Sequence, residues 1–420
     1  MFDDETLREI RDRFHYADAC PYQGERVFFE NAGGSLTLKS VVERTAELLA
    51  IPDNQGRANV ASVEIAKIIE SGKNDMKTLF RASSGMVFIG ETGTELLGRL
   101  IRSAILVTDG TNIVGSTLEH PATYSACERW AEVVGKEYRR VPFDVETSVV
   151  TAEHYSNYLD VSTGVATIIH ASPVTGMHVD VASIAQRIRE VAPETYIIVD
   201  GIQFAAHGEI DIDSYDIDAY VVSGYKMFSR HNYGVAWLSE RMAKIKHDQL
   251  KGAPEDAWEL GTRDISAYGA CSEVLKYLVW LGEKSGASQS ADVRSVLEQT
   301  TKVIKEHERG LVDVMLHGTD SLRGLAHIEQ VKVIGPVSSE HRSGMVSFQI
   351  SGMPAADVVE ALNKKRIRTH ARKRDHYSST ILEPLGVIDC VRASVCHYNS
   401  VKEIELFLEA VLDISSWGNV

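Results

Sequence analysis

The chain has 420 residues, 44% hydrophobic and 25% charged, enough to bury a sizeable core. Its formal charge of −15 argues against nucleic-acid or anionic-membrane partners, both of which select basic faces. No apolar run approaches the roughly 20 residues that span a bilayer.

The opening stretch "MFDDETLREIRDRF" is charged and lacks the apolar centre of a signal peptide. The five cysteines, Cys20, Cys127, Cys271, Cys390 and Cys396, form neither CxxC pairs nor a regular framework. A cytoplasmic protein with reduced thiols is the expectation. Residues 1–24 read as an arm packing near a small domain, 25–270 as a large domain and 271–420 as the small one.

From about residue 85 to 240, short β-rich runs ("MVFIG", "TNIVGS", "GVATIIHAS", "TYIIVDG", "AYVVSG") alternate with amphipathic patterns ("GTELLGRLIRSAI", "ATYSACERWAEVVG", "DVASIAQRIREVA"). That alternation predicts an α/β fold with a largely parallel sheet covered on both faces. After residue 262 comes the long helical pattern "ADVRSVLEQTTKVIKEHERGLVDVML", with Val293, Val296, Leu297, Val303, Ile304, Leu311 and Val314 near one face and His307 on its surface. Strands "VKVIG", "GMVSFQI" and "CVRASV" then mix with helices in a smaller α+β unit.

In parallel sheets the ligand site lies beyond the carboxyl ends of the strands, so the residues there carry the functional reading. Gly90, Gly93 and Thr94 precede a helix, where free amides accept a phosphate and glycine permits close approach. This is no P-loop, since no GKS or GKT follows, and it does not match GxGxxG. His120 sits between a strand and a helix, as a stacking ring, a base or a partly buried polar group. Asp200 ends a strand with Gln203 three residues on; such a carboxylate wants a partner, and a protonated heterocyclic nitrogen is one. His207 and Glu209 nearby do not form a metal-ligand spacing, and no metal is expected. Lys226 follows a buried strand directly, where desolvation makes an amine nucleophilic. Phosphate cradle, stacking ring, acid and lysine, in that order, are what pyridoxal phosphate needs.

The chain resembles the class V aminotransferases, fold type I enzymes that include cysteine desulfurases, kynureninases and isopenicillin N epimerase-like proteins. The resemblance runs from "FFENAGGS" to "VRASVCHYNSVKEIELFL" and is carried by "LEHPA", "VDGIQFAAHGEIDI", "VVSGYK", "ELGTRDISAYG" and "VRASVCHYNS". It implies an aspartate-aminotransferase-like fold and a pyridoxal 5'-phosphate cofactor held by Lys226. It implies Asp200 at the ring nitrogen, His120 stacked on the ring and Gln203 near the phenolic oxygen. Gly93, Thr94, Ser223 and Tyr225 would contact the phosphate. Thr262 would reach the neighbouring subunit's site in a homodimer, and Arg392 would clamp the carboxylate of a small amino-acid substrate.

Two departures bear on the reaction. The segment "RTHARKRDHYSSTILEPLG" lacks the sulfur-accepting cysteine of desulfurases, and Pro173 stands where the family has asparagine, leaving His170, Ser172 or a water as replacements. The basic stretch Arg372, Lys373, Arg374, His376 and Tyr377 reads as a loop, either a solvated turn or a lid selecting acidic substrates. β-Elimination of the C–S lyase kind without a persulfide is the expected reaction, with aminotransfer, epimerisation and desulfuration behind it.

Overall fold

A computed structural model describes residues 1–288 and 291–416. In chain order its main elements are α1 (Asp4–Arg11), α2 (Lys39–Leu49), α3 (Val60–Leu79), β1 (Met86–Gly90), α4 (Gly93–Val107), β2 (Asn112–Ser116), α5 (Pro121–Val134) and β3 (Glu137–Val141). There follow β4 (Thr163–Ile169), α6 (Val181–Val191), β5 (Tyr196–Asp200), β6 (Ala219–Ser223), β7 (Gly234–Leu238) and α7 (Ile265–Lys284). The last part holds α8 (Val293–His317), β8 (Val331–Ile334), β9 (Met345–Ile350), α9 (Ala355–Lys364), β10 (His370–Lys373), β11 (Asp389–Ser394) and α10 (Val401–Ser416).

Strands β1 to β7 form one sheet in the order β1-β7-β6-β5-β4-β2-β3. All pairings are parallel except those of β7, which runs antiparallel to both β1 and β6. Both faces are covered, so the central strands are buried at nearly every position and mostly apolar. On β6, Tyr220 and Val222 enter the core beneath α3, α6 and α7, while Ala219 and Val221 enter the one beneath α4 and α5. This is the three-layer arrangement that a parallel sheet requires.

A second, antiparallel sheet has the order β8-β9-β11-β10 and its own core with α9 and α10. Val27 and Phe29 belong to that core, and Val27–Phe28 pairs in parallel with Ile367–Arg368. Helix α8 joins the two cores: Leu297 and Ile304 enter the first, Leu311 and Met315 the second. Ile10 and Phe14 of the N-terminal segment also pack into the first, and Arg11 Nη1 donates to the Tyr398 carbonyl at 2.7 Å. No helix among the described residues is long and apolar enough to cross a membrane.

Helix α8 corrects the expected stripe. Val293 is exposed, whereas His307, expected on the surface, is 2% exposed and the adjacent Glu308 4%. His307 Nε2 meets the Asn399 carbonyl at 2.9 Å, and Glu308 meets His207 Nδ1 at 2.8 Å. The helix packs against both cores, and buried polar groups need such partners.

Two glycines give opposite expectations. A Cβ at Gly72 of α3 would lie 2.6 Å from the Tyr268 carbonyl oxygen of α7, whereas one at Gly98 of α4 meets nothing within 4 Å. Gly72→Ala should lower stability by about 1–3 kcal/mol through overpacking. Gly98→Ala should raise it by up to about 1 kcal/mol through helix propensity. Thermal melts of the two variants check both signs.

Candidate active site

Five strands of the large sheet deliver their carboxyl ends to one cavity of about 170 Å³. It is lined by Thr92, Gly93 and Thr94 after β1, His120 after β2, Ile169 and Pro173 at β4, Asp200, Ile202 and Gln203 at β5, and Ser223, Tyr225 and Lys226 after β6. Of the residues named from sequence, the fold thus brings together Gly93, Thr94, His120, Asp200, Gln203, Ser223, Tyr225 and Lys226.

Each is positioned by a local device. Thr92 caps α4, its hydroxyl accepting from the Glu95 amide at 3.0 Å. The amides of Gly93 and Thr94 remain without an acceptor inside the helix, a ready anion site. A Cβ at Gly93 would stand 2.5 Å from Ile202 Cδ1 and 2.6 Å from Ser223 Oγ, so a larger residue would displace both side chains into the cavity's lining. His120 is the N-cap of α5, with Pro121 behind it, and its Nδ1 accepts from the Ala122 amide at 3.2 Å. Burial, aided by the nearby charges of Lys226 and Arg372, lowers its pKa to about 4. It is therefore a neutral ring with its proton on Nε2.

Asp200 accepts from the Ile202 amide at 3.0 Å and is 3% exposed. Desolvation raises its pKa to about 6. The Lys226 amine donates to Gln203 Oε1 at 2.9 Å, its sole hydrogen bond among the described residues. Desolvation first, then the positive charge of Arg392, brings its pKa down to about 7.

Arg392 on β11 is 2% exposed and donates through Nη1 to the Pro173 carbonyl at 2.8 Å; its Nε has no partner among the described residues. Pro173 thus offers its carbonyl where a side-chain amide was expected. The replacements suggested by sequence do not enter the cavity. His170 stacks on Phe204 at 3.5 Å and meets the Tyr220 hydroxyl at 2.8 Å, while the Ser172 hydroxyl accepts from the Thr175 amide at 3.2 Å. Thr262 is exposed and lies outside the cavity of its own chain. Glu209 turns to Arg81, away from His207.

The basic stretch is not one loop. His370–Lys373 is a strand paired with β11, and the turn follows it, tied to α5 by the Tyr124 hydroxyl donating to the His376 carbonyl at 3.1 Å. Sequence reasoning also passed over Glu119, next to His120 and fully buried. Its Oε1 accepts from the Ile169 amide at 3.1 Å, and burial with the neighbouring Asp200 raises its pKa to about 8. A glutamate after an apolar strand was the available signal.

The family model described as "Aminotransferase class-V" matches residues 27–407. "Aminotransferase-like protein FGM3" of Gibberella zeae is 25% identical, covering 97% of this chain and 98% of that relative. "Cysteine desulfurase-like protein ustD" of Aspergillus flavus is 25% identical over 93% of this chain and 88% of its own length. Among solved structures, an apo cysteine desulfurase from Thermococcus onnurineus superposes with a TM-score of 0.81 at 21% identity, covering 99% of both chains. The Escherichia coli cysteine desulfurase CsdA gives 0.78 at 19% identity over the same shares.

Two pH experiments follow from the burial. Reductive methylation of Lys226, followed by peptide mass spectrometry, should reach half its maximal rate near pH 7, where the amine loses its proton. Surface lysines should do so near pH 10, about their ordinary pKa. Folding raises the Glu119 pKa from 4.5 to about 8, so the native state holds the extra proton between these values. Its contribution to stability therefore falls as pH rises through that window. The stability difference between Glu119→Gln and wild type should grow in the variant's favour from pH 5 to pH 8; a constant difference in denaturant melts would refute the burial of an ionisable carboxyl there.

Proposed function

The chain belongs to the class V aminotransferase family of pyridoxal-phosphate-dependent enzymes, and from that premise we propose that it removes the Cα proton of a small amino acid and expels a β-substituent without a protein persulfide. One observation carries the reading: the Lys226 amine is partly buried, bound to Gln203 and able to lose its proton near neutral pH.

The residues present fit the cofactor. The Gly93 and Thr94 amides with the Ser223 hydroxyl suit its phosphate, and the Cβ-free approach at Gly93 leaves them reachable. Asp200 supplies the carboxylate that a ring nitrogen needs, His120 a neutral stacking surface, and Lys226 an amine for the aldehyde. When bound, pyridoxal phosphate supplies the electron sink that makes a Cα proton removable.

The chain's own residues do the rest. Arg392 holds the substrate α-carboxylate with a planar fork that lysine cannot reproduce. Lys226 takes the Cα proton, and Gln203 keeps the amine directed into the cavity. In the homodimer we assign to this chain, the exposed Thr262 serves the partner's phosphate site.

The absence of a persulfide is supported by the thiols. None of the five lines the cavity; Cys127, Cys271, Cys390 and Cys396 are buried, and Cys20 lies beside Arg368 at 3.7 Å. Aminotransfer is the second reading, because a lysine that changes protonation state near neutral pH can also return the proton to a carbon other than Cα.

The protein should be yellow with an absorbance that borohydride abolishes, and Lys226→Ala should lack it. Turnover of an amino-acid panel to keto acid and ammonia should fall by roughly 10²–10⁴-fold in that variant. Each single cysteine-to-serine variant should keep near-native turnover. A wild type that stays colourless with added cofactor, or a folded cysteine variant without turnover, would contradict the reading.

A further inference from the structure

Arg392 is not the sole guanidinium near the cavity. Strand β10 pairs with β11 so that His370 stands opposite Arg392 and Arg372 opposite Cys390. Residues directly opposite share a face, so Arg372 and Arg392 are diagonal neighbours on one side of the sheet. That side abuts the large-domain turn after β4: Ser347 Oγ donates to the Val174 carbonyl at 2.5 Å and Arg392 to that of Pro173 at 2.8 Å.

Neither guanidinium has an ion-pair partner among the described residues, and the Nε of each is buried without any acceptor. Arg372 makes no side-chain hydrogen bond there at all. The nearby carboxylates are engaged elsewhere. Glu30 lies 3.4 Å from His370, Asp375 accepts from the Tyr377 amide at 2.9 Å, and Asp389 accepts from the Ala355 amide at 3.3 Å. Arg372 also lies near enough to Lys226 and His120 for its charge to act on both.

A desolvated charge without a counter-ion is costly, so this cationic pair calls for anions from a ligand. The phosphate site does not supply them, because it is formed by the start of α4 after β1 of the other sheet. One α-carboxylate answers one guanidinium and leaves the second.

We propose that the substrate is an amino dicarboxylate, its α-carboxylate on Arg392 and its side-chain carboxylate on Arg372. This rests on the reading of the cavity as an amino-acid site. Arg372 is a specificity residue: it discriminates among side chains and takes no part in proton transfer. The exposed Lys373, next along β10 and therefore on the opposite face, has no such role.

Non-reacting acids test this apart from turnover. In calorimetric titration of the protein supplied with pyridoxal phosphate, succinate should bind at least about tenfold tighter than butyrate, the yield of one charge-assisted contact. Arg372→Gln should reduce that ratio to about one while leaving butyrate affinity near wild type, and Lys373→Gln should preserve it. Arg392→Gln should weaken both acids. Equal binding of the two acids by wild type, or a ratio kept in folded Arg372→Gln, overturns the proposal. Should Arg372→Gln not fold, the wild-type ratio still decides. A missing cofactor absorbance in the same sample speaks against the proposed function instead, since the acid ratio is read independently of it.

Discussion

The partial desolvation of one amine governs this structure. Lys226 leaves the end of β6 inside a cavity closed by five strand ends, with a single amide oxygen as its hydrogen-bond partner. Its loss of hydration is what makes the neutral form accessible near pH 7, and the same dryness acts on every group around it. Asp200 and Glu119 are driven toward protonation and His120 away from it. A site of this kind needs a sheet covered on both faces, because a half-solvated sheet would rehydrate the strand ends. The alternation of β6 between two cores is therefore part of the chemistry.

The second constraint is the junction between the sheets. Arg392 belongs to the smaller antiparallel sheet, yet its guanidinium is anchored on the Pro173 carbonyl of the larger one. The separation of Lys226 from Arg392 is thus set by how the two cores meet, and α8, buried in both, holds that relation. Proline at 173 removes a side-chain donor without removing the carbonyl, which explains how the departure from the family pattern leaves Arg392 oriented.

Much of this was legible in the residues. Strands such as "MVFIG" and "AYVVSG", with apolar residues in succession, announced a sheet buried on both faces, and the structure begins and ends them within a residue of the expected bounds. The cavity residues were legible because polar side chains directly after such strands have one place to go. What escaped has physical reasons. β7 runs antiparallel in an otherwise parallel sheet, and "EYRRV" of β3 is an edge strand whose charges mask its pattern. The buried faces of α8 depend on two cores meeting around it, which periodicity along one helix does not encode. Arg372 looked like one charge in a basic turn, since strand register, and with it the shared face with Arg392, is a tertiary property.

The central claim is that Lys226, and no other lysine, is the dry amine that carries the cofactor. Reduction of the protein with borohydride in the presence of pyridoxal phosphate, followed by peptide mapping, addresses it directly. The account predicts a stable adduct confined to the peptide bearing Lys226, with the yellow absorbance lost in proportion. An adduct on a different lysine, or a bound yellow cofactor that leaves Lys226 unmodified, would contradict it.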